Sequence, residues 1–439
     1  MSSMRYMEIA CSNKPSSNKM SFRKGITEMV FQIPEMESYV IPHTIRICGE
    51  IAFYKNDEGG AISGTTANID GRTGVYSTFN TVTSRSLRHQ TTIEQSRHFN
   101  RFMSSYLPLS SSLDDTQSHL NNTALTAPNP AQAKQGAVDM DGNTSFALAL
   151  PTGLLSGSQG AGIPLSATWG IGGLEIAIQL ENDAQVFHST TGLVAADLNP
   201  FYEITNPHLV CEVMMPAPDQ LSQLMKQGAG QLTYQSISSY YDTISSTNAQ
   251  INFNLGLGKV RSAFVNFIDS SKLNNMAENG LATLMPTLTT GVVNNVLQVQ
   301  FLKGGTQYPA LFPQNNVIRD AKKTSVCDAG LLRDYIDAVV PYNQNRALAM
   351  TLANANRNWG LYNTTTSNQP YYHIADTGVC WGLGVRYDSL GGSGTDFRNE
   401  NWGLNMILDN NDGAVVSTFI FVNSEQTLVF NTNGVQVVQ

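Results

Sequence analysis

One stretch of the sequence has residue types that could bind a metal ion. Residues 139–143, DMDGN, begin with the Asp-x-Asp-x-Asn spacing of a calcium-binding loop, where carboxylate and amide oxygens are the ligands. Such a loop also needs a glycine at its sixth position and a bidentate acid at its twelfth. Those positions hold Thr144 and Leu150. We therefore interpret the stretch as a turn that leads into a strand.

Local signatures of catalysis and of nucleotide binding are absent from the sequence. The GGSGT stretch around Ser393 has a threonine where a nucleophile elbow needs its second glycine. Two Gly-rich stretches depart from the dinucleotide-binding pattern at Arg261 and Tyr387, and neither a Walker A motif nor HExxH occurs. His89 and His98 are the closest histidine pair, and their separation (98 − 89 = 9 residues) does not fit one helical face.

The sequence thus predicts no catalytic, cofactor-binding or metal-binding residue, and a chain that is not an enzyme. Distant carboxylates can still assemble a site, as in glycosidases, so a carbohydrate-active enzyme stays open as one alternative. The number of cysteines is odd and no CxxC pair occurs, which indicates reduced thiols in an intracellular protein. They are Cys11, Cys48, Cys211, Cys327 and Cys380.

The composition favours a protein with large hidden surfaces. Only 14% of the 439 residues are charged, against about 25% in an average soluble domain. The net charge of −8 argues against a protein that coats nucleic acid, which needs a basic face. The length suits two domains. No secretory signal and no apolar run of membrane-spanning length is expected from the sequence.

The N-terminal residues 1–23 are predicted to form a basic arm. Within the first 24 residues, five basic residues and one acid give 5 − 1 = +4. A solvated terminus is the simpler interpretation. The alternative is an arm that contacts an anionic surface, either an internal membrane or a genome. The basic residues are Arg5, Lys14, Lys19, Arg23 and Lys24.

Apolar residues alternate with polar ones in most of the remaining chain. The stretches SFALAL, LEIAIQL, LQVQFL and QINFNLGLG each place their apolar residues on one face, as strands of antiparallel sheets do. We expect an all-β fold with two sandwiches. The first covers 24–216 with a long loop at 107–144, and the second covers 231–439 with a long loop at 303–327.

Three helices are predicted between the strands. Apolar spacing of three and four residues marks 91–106 and 328–340. A third helix within 217–230 lies between the two halves and ends at Gly228. Isolated helices of this kind do not make the strand–helix alternation of a parallel sheet.

A repeat suggests that the two halves arose by duplication. Trp169-Gly170 and Trp402-Gly403 each precede an alternating apolar run and an Asn-Asp pair. In each half a final strand follows, at 201–215 and at 427–438. Coincidence between two amphipathic strands is the alternative explanation.

Aromatic residues near predicted turns leave a second function open. Exposed aromatic rings could stack on sugars, so a β-sandwich attachment or glycan-binding protein, such as a spike or penton-like component, is an alternative. Rings of this kind also anchor loops and subunit contacts. They are Tyr240, Tyr241, Tyr308, Phe312, Tyr371 and Tyr372.

The order of these segments and their residue patterns resemble those of the double jelly-roll major capsid proteins of polinton-like viruses, virophages and their relatives. Four stretches carry the resemblance, which extends over residues 24–439. They are FQIPEMESYVIPHTIRICGEIAF (31–53), GVYSTFNTVTSRSLRHQTTIEQSRHFNRF (74–102), KVRSAFVNFIDSSKL (259–273) and STFIFVNSEQTLVFNTNGVQVVQ (417–439).

This resemblance implies both architecture and function. The chain would fold as two eight-stranded jelly rolls with a few short helices and form a homotrimer. The trimer would be a pseudo-hexagonal capsomer that tiles the icosahedral shell of a DNA virus. Its partners would be neighbouring capsomers and minor capsid or penton proteins, with no cofactor and no small-molecule substrate. Its location would be the virion, after synthesis and assembly inside the host cell.

Overall fold

The computed structural model describes thirteen segments of the chain. They are residues 3–57, 67–71, 73–110, 119–126, 144–156, 162–188, 199–276, 280–281, 296–308, 329–339, 382–387, 394–408 and 415–439. Antiparallel strands dominate these segments, and short helices lie between them. In the same segments, no helix has the length and apolar content needed to cross a bilayer.

In the described residues, the first half of the chain contains the strands β1–β13 and four short α-helices. The strands are β1 Ser3–Ala10, β2 Lys19–Met20, β3 Glu28–Ile33, β4 Tyr39–Val40, β5 Arg46–Tyr54, β6 Asn68–Ile69, β7 Phe79–Ser86, β8 Thr92–Ser96, β9 Thr144–Ala149, β10 Ile163–Pro164, β11 Leu174–Leu180, β12 Phe187–His188 and β13 Phe201–Met215. The helices are α1 Phe99–Ser110, α2 His119–Ala124, α3 Gly153–Ser156 and α4 Asp183–Val186, with 3-10 turns at Pro42–Thr44 and Gly74–Thr78.

The second half follows helix α5, Pro218–Gln227, which connects the two. Its strands are β14 Ala229–Ile244, β15 Asn248–Asn254, β16 Val260–Asp269, β17 Val296–Lys303, β18 Thr306–Tyr308, β19 Gly382–Arg386, β20 Asn401–Leu408, β21 Val416–Asn431 and β22 Gly434–Val438. Helix α6 is Ala329–Val339, and a 3-10 turn covers Ser270–Lys272.

Each half contains eight main strands in the same arrangement. In the first half, these strands form two sheets in the orders β1-β13-β5-β9 and β3-β11-β7-β8. In the second half the orders are β14-β21-β16-β19 and β15-β20-β17-β18. When the eight main strands of each half are numbered along the chain, one sheet has the order first-eighth-third-sixth and the other has the order second-seventh-fourth-fifth. This holds for both halves. Two four-stranded sheets connected in this way are a jelly roll.

The predicted fold class, two tandem jelly rolls with a few short helices, is therefore confirmed. Buried and more exposed side chains alternate along many of the strands, and the buried ones form the core. In β3, Met29, Phe31 and Ile33 are buried, and in β9 Phe146 and Leu148 are buried, while their chain neighbours are more exposed. Burial of one face per strand contributes the main stabilisation, at about 25 cal/mol per Å² of apolar surface.

The Trp-Gly repeat marks equivalent strands but not equivalent tryptophans. Trp402 lies inside β20, the seventh strand of its half, between the rings of Phe253 and Phe301. Trp169 lies 174 − 169 = 5 residues before β11, the seventh strand of the first half, and packs on Tyr39. The two halves repeat the same strand order, whereas the shared dipeptide does not occupy equivalent positions in them.

Two predicted elements differ from the structure. Residues 92–96 of the predicted helix 91–106 form strand β8 paired with β7, and the helix begins only at Phe99. Between the strand and the helix, the backbone of His98 has a positive φ of 52°, and the chain changes direction there. The predicted last strand, 427–438, is a hairpin of β21 and β22 that turns between Asn431 and Gly434.

The predicted arm 1–23 contains the first strand of the first jelly roll. β1 pairs with β13 from Ser3↔Met215 to Ala10↔His208, and Ile9 is buried. Residues 4–10 thus form a strand of the sheet, although the positive charge of this segment suggested a solvated arm. Similarly, β14 starts at Ala229, inside the segment 217–230 that we predicted as linker.

Both predicted long loops lie in or beside the connection between the fifth and sixth strands of a half. Helices α1 and α2 occupy parts of 107–144, and 111–118 and 127–143 lie outside the described residues. In the second predicted loop, 303–327, the residues up to 308 belong to β17, β18 and the turn between them. The rest, 309–327, lies outside the described residues.

We expect Trp402→Ala to lower the free energy of unfolding by about 3–5 kcal/mol, because the indole is fully buried and its loss leaves a cavity. Urea unfolding followed by circular dichroism measures this. Met225→Ala on helix α5, where the side chain is 49% exposed, is the control and should stay within about 0.5 kcal/mol of wild type. Equal losses in both variants would contradict the packing described for Trp402.

Candidate functional site at the junction of the two jelly rolls

The described residues do not assemble a metal-binding cluster. Among them, no group of three or more His, Cys, Asp and Glu side chains is placed to hold an ion. Residues 139–143, Ser393, Phe312 and the pair 371–372 lie outside the described residues. The best-defined polar and aromatic contacts occur instead where the two halves meet. We call this region the junction; it joins β8, α1 and α3 of the first jelly roll to β14, β16 and β21 of the second.

The edge of β14 lies against the edge of β8. The single Tyr234 hydroxyl hydrogen lies between two acceptors, the Ile93 carbonyl oxygen at 2.8 Å and the Gln426 side-chain oxygen at 3.0 Å. Further along, the Ser239 hydroxyl donates to the Arg97 carbonyl oxygen at 2.9 Å. β14 pairs with β21 along its whole length on its other side. The first jelly roll therefore covers an edge that would otherwise be open to other strands.

A buried carboxylate connects three elements of the junction. Glu94 of β8 is only 3% exposed and accepts the backbone N–H groups of Gly153 and Leu154, at 3.0 and 2.8 Å. Burial raises the pKa of Glu94, while these bonds and those from the Thr152 and Ser236 hydroxyls oppose the rise. Because Ser236 belongs to β14, the carboxylate connects the second jelly roll to helix α3 of the first.

The junction is closely packed at Gly153. A methyl group at this position would lie 1.2 Å from the backbone carbonyl oxygen of Gln235 in β14. No rotation of a side chain can relieve a contact with backbone. Glycine is therefore required here because two chain segments approach each other, and not because of an unusual backbone angle.

Helix α1 covers the outer face of the second jelly roll. Phe102 packs on Phe264 and Phe421, with ring centroids 6.2 and 6.0 Å apart. The guanidinium of Arg101 lies 4.3 Å from the Phe419 ring centroid and donates hydrogen bonds to the Gly280 carbonyl oxygen and, at 2.8 Å, to Gln185. Burial lowers the pKa of Arg101 to about 10, so the side chain remains charged at neutral pH.

A short polar chain crosses the same interface. The Asn266 amide of β16 donates to the Ser105 hydroxyl of α1 at 2.6 Å, and Tyr335 of α6 donates to the Asn266 oxygen at 2.9 Å. The Tyr335 ring also packs on Phe264, with ring centroids 6.0 Å apart. A buried amide that uses both its donor and its acceptor fixes orientation, because other arrangements leave one of them unpaired.

The basic residues of the predicted arm mostly contact the first jelly roll. Lys19 and Lys24 both pair with Glu203 of β13, which is almost fully buried. Arg23 pairs with Asp57 at 2.9 Å, and its guanidinium lies 4.9 Å from the Phe201 ring centroid. Three of the five basic side chains are thus used within the fold.

Asp183 is a second buried acid, at the start of α4. Its carboxylate lies 3.6 Å from the Arg23 side chain. Burial raises the pKa of Asp183 to about 6, while Arg23 and a backbone N–H oppose the rise. The folded chain therefore binds a proton here more tightly than the unfolded chain does.

The sequence alone did not identify the residues of the junction. Glu94 and Arg101 lie in a stretch assigned to one amphipathic helix, where charged residues are expected to face solvent. A charged residue within an otherwise uncharged strand, as in TIEQS, was the available signal for Glu94. Gly153 and Tyr234 gave no signal, because their role depends on a segment distant in sequence.

Solved capsid structures share this fold over the whole chain. The PBCV-1 virus capsid aligns with a TM-score of 0.58 at 9% identity, covering 100% of this chain and 97% of that one. The Faustovirus major capsid protein aligns with a TM-score of 0.57 at 8% identity, covering 98% and 91%. This is the double jelly-roll capsid fold.

A third solved structure agrees with that assignment. The mavirus major capsid protein aligns with a TM-score of 0.52 at 10% identity, covering 99% of this chain and 90% of that one. No family model and no curated protein matches the sequence. The predicted resemblance to double jelly-roll capsid proteins is therefore confirmed in three dimensions, at sequence identities where only the fold is shared.

We expect Gly153→Ala to lower the free energy of unfolding by about 1–3 kcal/mol, because the new methyl group forces the two jelly rolls apart. Denaturant unfolding measures this. Gly305→Ala, where a methyl group meets nothing within 4 Å, is the matched control and should change stability by less than about 0.5 kcal/mol. A Gly153→Ala variant as stable as this control would show that the junction is not closely packed.

Asp183 should make the protein less stable as pH rises from about 4 to about 6. Its folded pKa of about 6 exceeds its ordinary value of 3.8, so the folded state holds the proton more tightly in this window and loses that advantage above it. The full shift corresponds to about 3 kcal/mol. The difference in unfolding free energy between wild type and Asp183→Asn, measured across the window, isolates this contribution.

Asp183→Asn also removes a carboxylate that pairs with Arg23, and Asp57→Asn is the control for this second effect. This variant removes the other carboxylate beside Arg23 and keeps Asp183. It should therefore retain the pH dependence that Asp183→Asn loses. The same dependence in both variants would rule out Asp183 as its source.

Proposed function

We propose that this chain is a major capsid protein that trimerises into pseudo-hexagonal capsomers and tiles the icosahedral shell of a DNA virus. The observation that carries the proposal is the strand order, first-eighth-third-sixth and second-seventh-fourth-fifth, twice in one chain. The three solved structures compared above, which align over 97%, 91% and 90% of their length, are a virus capsid and two major capsid proteins. In this role the protein is structural and not an enzyme, needs no cofactor, and belongs to the virion.

The low charge of the sequence supports a tile with broad contacts. Permanent interfaces bury about 2,000–5,000 Å² or more, and charged residues are depleted at their centres. A chain with 14% charged residues can supply such surfaces on several sides. Its partners would be two further copies in the trimer, neighbouring capsomers, and minor capsid or penton proteins.

A contact of the N-terminal segment with an internal membrane or a genome would depend on few residues. Lys19, Arg23 and Lys24 are paired within the fold. Arg5 and Lys14 are exposed. An anionic partner would therefore meet two separate basic side chains and not a basic patch.

Among the described residues, the contacts of Tyr240 and Tyr241 do not favour the glycan-binding alternative. Tyr240 stacks on Phe253 with centroids 4.6 Å apart, so its ring is not a free platform. Tyr241 packs on Phe419 at the junction, and its hydroxyl bonds Ser417. These tyrosines act as anchors within the described part of the chain.

Light scattering coupled to size-exclusion chromatography should give the mass of three chains, and negative-stain images should show a hexagonal outline. Three copies of two jelly rolls supply six similar units, which is why the outline would have six sides. A protein that remains monomeric at high concentration and forms no shell would contradict the proposed function.

A further inference from the structure

A cavity lies between helix α5 and the two jelly rolls, and we call it the α5 cavity. Its volume is about 700 Å³. The first jelly roll contributes Tyr39 and Met214 to its wall, helix α5 contributes Leu224, and the second jelly roll contributes Leu232 and Phe430. Binding sites for small molecules commonly have volumes of about 300–1,000 Å³ and often lie between domains. The size and the position of the α5 cavity are therefore those of a ligand site.

Aromatic rings form much of the wall. Trp169 lines the cavity and packs on Tyr39, with ring centroids 5.0 Å apart. The indole N–H of Trp169 donates to the Glu37 carboxylate, so the ring offers only apolar surface to the cavity. On the side of the second jelly roll, the Phe430 ring lies directly against Gly230, where a methyl group would be 2.5 Å from the ring. The wall thus suits the apolar part of a ligand.

Glutamine amides supply the polar groups of the cavity. Gln220, Gln223 and Gln227 line it from helix α5, and their spacing of three and four residues places them on one face of the helix. None of the described residues in the lining has a charged side chain. An amide both donates and accepts hydrogen bonds, so it matches a hydroxyl, amide or N–H group. A charged group would be buried here without a counter-charge, which is unfavourable.

Helix α5 lacks the packing that usually holds an amphipathic helix. None of its residues is buried, although Leu221, Leu224 and Met225 are spaced as an apolar stripe. The side that carries Leu224 and the three glutamines faces the cavity and not a packed core. A molecule in the cavity would bury part of this side. The helix therefore has room for an occupant that completes its packing.

We propose that the α5 cavity binds a small uncharged molecule with an apolar body and at least one hydrogen-bonding group. The apolar body would lie against Tyr39, Trp169 and Phe430, and the polar group would face the glutamines of α5. Such a molecule would contact both jelly rolls and the helix between them, so its binding would stabilise their connection. The inference is independent of the proposed function, because it requires only one folded chain.

Two dyes that differ by one charged group test the chemistry of the site. N-phenyl-1-naphthylamine is uncharged, has one N–H group and fluoresces in apolar surroundings, and 8-anilino-1-naphthalenesulfonate is the same skeleton with a sulfonate. In titrations of the full chain, the neutral dye should bind saturably, with one dye per chain and an affinity about tenfold or more above that of the anionic dye. Equal affinities, or no saturable binding of the neutral dye, would overturn the inference.

Filling the cavity should remove the binding. Gln223→Trp should weaken the neutral dye by about tenfold or more, because the indole would occupy the space. Ser222→Trp is the matched control: Ser222 is the preceding exposed residue of α5, does not line the cavity, and should leave the affinity within about twofold of wild type. Circular dichroism checks that both variants fold. Equal affinities in the two variants would place the dye elsewhere.

A second pair of variants repeats this comparison at half-buried leucines of the same helix. Leu224→Trp should weaken the neutral dye, whereas Leu221→Trp, at a residue that does not line the cavity, should not. Loss of binding in both variants, with both folded, would contradict the site described here.

Hydrogen exchange followed by mass spectrometry locates the dye directly. Saturation with the neutral dye should slow amide exchange severalfold in the peptide that covers α5, Pro218–Gln227, because the occupied cavity holds the helix in place. Exchange in β7, which does not line the cavity, should not change. Unchanged exchange in α5 at saturation would show that the dye does not bind there and would overturn the inference.

Discussion

The structure depends on how the edge strand β14 is covered. A sandwich of two open sheets always leaves edges, and each edge carries unpaired backbone groups. Here the chain covers the first strand of its second jelly roll with the fifth strand of its first. Hydrogen bonds from Tyr234 and Ser239 set the spacing of the two edges, and Glu94 connects them to helix α3.

Other features of the molecule follow from this contact. Once β14 lies against β8, helix α1 is placed over the aromatic face of the second jelly roll, and Arg101 can reach Phe419. The two halves are thus held against each other by hydrogen bonds, a buried carboxylate and aromatic packing. The capsomer proposed above would need such a connection between its jelly rolls.

The fold was predictable from the sequence to the extent that local patterns determine it. Alternation identified β9, β11 and β17, and the apolar spacing in 328–340 identified α6. The pattern failed at β8, where Thr92 and Ile93 continue directly into a helical stretch and tertiary pairing decides. It also failed at β1, whose charged residues concealed a strand. The junction could not be predicted, because Gly153 and Gln235 become neighbours only after both jelly rolls have formed.

The aromatic face of the second jelly roll has a consequence for how the protein is made. Phe264, Phe419 and Phe421 form a sheet surface that helix α1 covers, and α1 is translated long before them. The first half can therefore be finished and waiting when the second emerges from the ribosome. Expressed without its predecessor, the C-terminal half would lose the cover that α1 provides for these rings, and we expect it to aggregate. In the full chain, the half that is synthesised first supplies this cover for the half that is synthesised second.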